Sequence, residues 1–126
     1  MSRYKTFDEL TFFSNVKRKP GMYLGKKSFI SFRDQLFGMT YAFSACGKPD
    51  AMRLFKAFIE YYNNKLFLSD QSGYVCWWNH ILYISGNFDA LAFDNFFRMF
   101  EKFLKEKYDL VLPEVNRPFG VEVNEV

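Results

Sequence analysis

The chain is poor in the residues that carry covalent and metal chemistry. It has one histidine and two cysteines in 126 residues. Cys46 and Cys76 stand far apart, in apolar stretches and without a CxxC partner, so they read as reduced core thiols, a disulfide between them being the minor alternative. His80 follows Trp77 and Trp78, and with Cys76 it has i,i+4 spacing. Zinc would need further ligands from elsewhere, so a packed, hydrogen-bonded histidine is the expectation. The sequence has no P-loop, dinucleotide-binding, zincin or nucleophile-elbow pattern. Carboxylate pairs such as Asp8 with Glu9 and Asp89 with Asp94 fall at helix beginnings, where they complement the helix dipole. No catalytic residue, metal or cofactor is expected. Nor does any run approach the ~18 apolar residues of a membrane span, or any apolar stretch follow Arg3 and Lys5 as a leader would. The expectation is a cytoplasmic protein with no membrane partner.

Aromatic residues, by contrast, are abundant. Seventeen phenylalanines, eight tyrosines and two tryptophans make up 21% of the chain. Each ring buries about 150–250 Å² when enclosed, so a chain of this size cannot hide them all, and a surplus should reach the surface and favour a protein partner. Charge is uneven as well. Residues 1–33 carry eight Lys and Arg against Asp8 and Glu9, whereas residues 34–126 carry nine against twelve acids.

Periodicity predicts an all-α fold: one domain over residues 1–126, a bundle of about five helices, and an extended tail over 109–126. Thr6 caps a first helix over 7–18 with Phe7, Leu10, Phe13 and Val16 on one face, and Pro20 stops it. Ser28 caps a second over 29–46, with Phe29, Phe32, Leu36, Phe37, Thr40 and Phe43 facing the core until Gly47. Pro49 and Asp50 open a third, carrying Leu54, Phe55, Phe58, Ile59, Tyr62 and Leu66 and ending between Asn64 and Phe67. A loop covers 69–73. Residues 74–84 are almost continuously apolar, which suits a buried helix or a central strand. With no second strand to pair with, helix is preferred, and a strand would make the fold α+β. Asn87 caps the last helix, whose apolar face is Leu91, Phe93, Phe96, Phe97, Phe100, Phe103 and Leu104 and whose polar face offers i,i+4 pairs such as Asp94 with Arg98 and Glu101 with Lys105. In the tail, Leu110, Val111, Leu112 and Phe119 should pack on the body while Glu122 and Glu125 stay wet.

One segment concentrates unusual chemistry. Between the first two helices stand Lys17, Arg18 and Lys19, then Pro20, Gly21, Met22, Tyr23, Leu24 and Gly25, then Lys26 and Lys27. These cations and the N-terminus of the next helix would suit a phosphate. The preferred reading is a turn at Gly21 whose Met22, Tyr23 and Leu24 tuck into the core while the lysines face water.

The segment from Val16 to Gly25 resembles a short Arg-Pro-Gly-Met-Tyr-Ile-Gly stretch in the ATPase domain of type II topoisomerase B subunits. That resemblance implies a Glu and an Asn on the following helix and Gly-rich, Asp-containing loops. Here Arg33, Asp34 and Gln35 stand on that helix and no Asp-x-Gly-x-Gly follows, so ATP hydrolysis is not expected. A broader resemblance covers residues 6–45 and 77–104. Phe-Asp-Glu-Leu at the start, Lys-Pro-Gly-Met-Tyr-Leu-Gly-Lys-Lys-Ser over 19–28, the tryptophan-containing segment and the closing phenylalanine helix are similar to a group of small bacterial proteins. Some of these resemble immunity proteins of contact-dependent growth inhibition and other polymorphic toxin systems.

That resemblance implies an immunity protein that occludes the active site of a cognate toxin domain, a nuclease being the expected kind. A basic toxin would meet Asp89, Asp94, Glu101, Glu106 and Glu114; an acidic one would meet Lys17, Arg18, Lys19, Lys26 and Lys27. The alternative is a nucleic-acid-binding accessory domain using the same five cations. Either would be a monomer or a weak homodimer.

Overall fold

The computed structural model describes residues 7–66 and 76–114. Among these residues there are six α-helices and no strand. The expected Thr6 cap, the loop over 69–73, Tyr74 and Val75, and Phe119, Glu122 and Glu125 lie outside the described residues.

Helix α1 spans Glu9–Arg18 and buries Phe12, Phe13 and Val16. Its extended N-cap residue is Asp8, whose carboxylate accepts the Thr11 hydroxyl at 2.6 Å. Lys17 and Arg18 complement the dipole in the last turn. Pro20 stops this helix and immediately starts a short one, α2, over Pro20–Leu24, because proline at a first helical position lacks only an N–H that would be unpaired anyway. This is the element beyond the expected five. The reversal falls at Gly25, whose φ of +81° only glycine adopts without strain, and not at Gly21. Tyr23 and Leu24 pack partly buried against the core, but Met22 is 59% exposed, so the turn rests on two side chains where three were expected.

Helix α3 runs Phe29–Ala45, and Ser28 caps it by accepting the Ser31 N–H at 3.1 Å. It ends as expected at left-handed Gly47, where Lys48 N–H reaches Phe43 C=O and Gly47 N–H reaches Ser44 C=O. Phe29, Phe32 and Leu36 are buried, but Phe37, expected in the core, is 40% exposed. A 3₁₀ turn over Pro49–Met52 leads into α4, Arg53–Tyr61, which buries Leu54, Phe55 and Phe58 and continues as one π-helical turn, Tyr62–Leu66.

The ambiguous apolar segment is helical: α5 spans Trp77–Ile84. Trp77 and Ile81, one turn apart, are buried, and Trp78 and Leu82 are partly so. Gly86 closes α5 with a positive φ, and Asn87 N–H bonds Leu82 C=O. Asn87 therefore belongs to the end of α5, and the N-cap position of the last helix falls to Phe88. That helix, α6, spans Asp89–Tyr108 and buries Ala92, Phe93, Phe96, Phe97, Phe100, Phe103 and Leu104, leaving Leu91 exposed.

Phe96 is central to the buried cluster. Its ring meets those of Phe13, Phe29, Phe32, Phe58, Trp77 and Phe100 at centroid separations of 5.4–6.3 Å. Edge-to-face and offset pairs at such distances add to the value of burial itself. After α6, residues 109–114 have no regular secondary structure; Leu110 and Leu112 pack against the core, Val111 is exposed, and Ser14 donates its hydroxyl to the Pro113 carbonyl.

Glu9 does more than complement its own helix. Buried at 7% exposure, it accepts Leu54 N–H at 3.0 Å on Oε1 and Phe55 N–H at 2.6 Å on Oε2, capping α4 from across the fold. Burial raises its pKa above the usual carboxylate value, opposed by these two N–H groups and by Arg53.

Phe96→Ala should cost about 3–5 kcal/mol of stability in a denaturant titration. A loss near zero would contradict a core centred on that ring. For Glu9 the sign follows from its raised pKa. The folded state binds the proton more tightly, so wild-type stability measured against Glu9→Gln should rise as pH falls from the folded pKa to 4.5, and decline as pH rises through the same window. Urea titrations of both proteins across that range test it; an opposite slope would mean the hydrogen bonds outweigh desolvation. At neutral pH Glu9→Gln should itself lose about 1–3 kcal/mol, because one of the two N–H donors would then face the amide NH2, which cannot accept.

Candidate functional site

Four of the ten charged residues singled out from the sequence pair with one another. Lys17 Nζ lies 2.5 Å from Glu101 Oε2, and Lys27 Nζ lies 2.8 Å from Asp94. Asp89 Oδ1 accepts the Ile30 N–H at 2.9 Å, and Glu106 Oε1 accepts the Tyr61 hydroxyl at 3.3 Å. The two ion pairs flank the α2 turn and tie it to α6. The i,i+4 pairs expected along α6 give way to them: Asp94 and Glu101 reach the basic segment, Arg98 Nη1 donates to Asn95 Oδ1, and Lys105 pairs with Asp109. Both clamp pairs are partly exposed, which limits each to about 1 kcal/mol or less. Arg18, Lys19, Lys26 and Glu114 are exposed.

The candidate metal and thiol residues do not assemble. His80 Nδ1 lies 2.5 Å from the hydroxyl of Tyr62, a fully buried residue whose pKa burial raises. This is the hydrogen-bonded histidine expected from the sequence. Among the described residues no group of three or more His, Cys, Asp and Glu is placed to hold a metal ion. Both cysteines are free but exposed, contrary to the expectation of core thiols. The reason is positional: Cys46 is the C-cap of α3 and Cys76 the N-cap of α5, so neither lies on a core-facing stripe.

A different surface has the form of a binding site. An open groove of about 580 Å³ runs between α3, α4 and α5, walled by Phe37, Thr40, Tyr41, Phe55, Ile59 and Trp77. Lys56 is the one charged residue on its lining. Tyr41 is 78% exposed, and Phe37 packs edge-on against Trp78 at 5.1 Å. The Arg33 guanidinium lies 5.7 Å from the Trp78 ring centroid and is paired with Asp34. Thr40 Oγ1 is buried without a hydrogen-bond partner.

The helix bearing this wall is unusual. From Gln35 to Gly47 it has no charged residue, yet Phe37, Gly38, Tyr41, Ala42, Ser44 and Ala45 are exposed. The solvent face of α6 is charged, with Asp94, Arg98, Lys102 and Lys105, whereas α5 shares the absence of charge and exposes Tyr83 and Ile84. Gly38 adds a second oddity. A mid-helix glycine costs about 1 kcal/mol relative to alanine, and a Cβ built there would meet nothing within 4 Å, so internal packing does not require it. Sequence reasoning placed Phe37 and Thr40 in the core and passed over Tyr41 and Gly38; the uncharged stretch between two helix caps was the available signal.

The chain matches no protein-family model, no curated protein and no solved structure.

Native protein should titrate two thiols with a small water-soluble disulfide reagent, without denaturant. If either thiol reacted only after unfolding, its exposed placement at a helix end would be wrong.

Proposed function

We propose that this protein acts by binding another protein, and specifically that it is an immunity protein that covers the active site of a toxin domain in the cytoplasm. The observation that carries the reading is the exposed, uncharged aromatic face of α3 beside the groove. A solvent-facing helix surface normally bears charge; one bearing Phe37 and Tyr41 over a pocket has the anchors of a protein interface. The resemblance of residues 6–45 and 77–104 to small bacterial proteins, some of which resemble immunity proteins, suggests the toxin as the partner class. Occlusion needs only surface, shape and charge, and calls on no reactive group.

Electrostatics favour this over binding to nucleic acid. Two of the five cations in the 17–27 segment are in ion pairs with α6, which weakens the phosphate-tracking surface the alternative needs.

Co-expression with the toxin domain encoded beside this gene should restore growth, and the two chains should co-elute on size exclusion. Continued killing with no complex would refute the immunity reading. A salt titration with single- and double-stranded nucleic acid should show no binding even at low ionic strength; steeply salt-dependent binding would favour the alternative.

A further inference from the structure

Resting on the reading that the partner is a toxin domain, we infer that the α2 turn is a direct contact with it, presenting Met22 between Lys19 and Lys26 to an apolar socket ringed by carboxylates. The cations of this segment divide into sets. Lys17 and Lys27 are used inside the fold, on Glu101 at 2.5 Å and on Asp94 at 2.8 Å. Lys19 and Lys26 are exposed and make no ion pair among the described residues. The paired lysines thus bracket the turn, and these two uncompensated charges stand between them, on either side of Met22.

Met22 is the apolar side chain of the turn that the fold does not use. Tyr23 and Leu24 pack against the core, whereas Met22 is 59% exposed. The turn that carries it is held from behind. Gln35 Nε2 donates to the Tyr23 carbonyl at 3.4 Å, Met22 N–H bonds Lys19 C=O at 3.0 Å, and Gly25 N–H bonds Gly21 C=O at 3.1 Å. A turn tied at both ends and along its back loses less freedom on binding than a free loop does. A methionine flanked by cations on such a support suits a protein surface, where a thioether fills an apolar socket and ammonium groups meet a polar rim. A phosphate backbone would use the lysines and leave Met22 in water.

Position agrees with this. Gln35 reaches α2, while Phe37, two residues further along α3 and so near its opposite flank, walls the groove. The uncharged exposed face of α3 lies between the two. A partner seated on that face meets the α2 turn at its edge, as a charged rim beside an apolar centre. Acidic groups on the partner gain at that rim and basic groups lose, which fixes the sign of the socket.

Surface plasmon resonance with the toxin domain encoded beside this gene, at low and high salt, tests the inference. Wild type should associate fast at low salt and more slowly as salt rises. Lys19→Glu combined with Lys26→Glu should slow association about tenfold and flatten its salt dependence. Met22→Ser should weaken affinity about tenfold, chiefly through faster dissociation. These side chains are exposed, so both variants should melt at the wild-type temperature. Lys102→Glu combined with Lys107→Glu makes the same change of net charge on exposed positions of α6 and should leave association within about threefold of wild type. Equal slowing by the α6 pair would reduce the effect to net charge and overturn the inference. Wild type that binds and protects, with turn variants that do both equally well, refutes the α2 contact and leaves immunity standing. Toxin binding that is lost in the turn variants, without growth protection by wild type, refutes immunity and leaves the contact. No binding of the toxin by wild type removes both. Binding to single- or double-stranded nucleic acid that the Lys19→Glu, Lys26→Glu protein loses would assign the lysines to phosphate instead.

Discussion

The face of α6 built from Phe93, Phe96, Phe97, Phe100 and Phe103 is the constraint on which the other helices depend. Aromatic rings are large, flat and stiff, so packing them fixes the angle as well as the distance of each neighbour. Phe32 stacks on Phe97 at 10° and meets Phe96 at 90°, so α3 is oriented by two perpendicular contacts at once. Phe58 does the same for α4 against Phe96 and Phe100, and Phe13 brings α1 to Phe100 at 4.6 Å. A core of this kind consumes rings quickly, and eleven of the fifteen phenylalanines among the described residues are buried. Among the rings it leaves exposed are Tyr83, Phe88 and Tyr108. Phe37 and Tyr41 emerge on the same helix, beside the groove.

Polar groups then lock what the rings orient. Glu9 connects the first turn of α1 to the start of α4, answering two orphan N–H groups with two carboxylate oxygens. A short helix entered through a 3₁₀ turn has no local side chain doing this, so the cap comes from 45 residues earlier. The ion pairs of Lys17 and Lys27 act at the opposite side of α1, where the α2 turn crosses toward α6. A charge asymmetry along the sequence thus becomes partial neutrality in space. The halves of opposite sign fold onto one another, and the surface available to a partner is decided more by the uncharged face of α3 than by net charge.

Local signals in the sequence were sound at several helix ends, though the turn expected at Gly21 falls at Gly25 and the cap expected at Asn87 falls to Phe88. Ser28 caps α3 and Gly47 ends it, Pro20 stops α1, and the spacing of Phe93 through Leu104 defines the buried face of α6. Periodicity could not say how wide a face is covered. Phe37 and Leu91 continue apolar patterns but lie past the edge of contact, and both are exposed. Nor could it see across the chain, so Glu9 read as a first-turn acid, Asp94 and Glu101 as partners of Arg98 and Lys105, and the cysteines as core residues when they mark helix ends. The groove lies among three helices and has no signature in any one of them. Its trace in the sequence is the missing charge between Gln35 and Gly47.

The segment after α6 sits across α1. Ser14 holds Pro113, and Leu110 shares a cavity wall with Phe7 and Leu10. The described chain therefore starts and finishes along one seam, and the two edges shield each other from solvent. Fraying that opens the last residues uncovers the first helix in the same movement, which makes peeling from either side a single cooperative event. Amide exchange at Leu110 and along the α1 backbone then reports one opening.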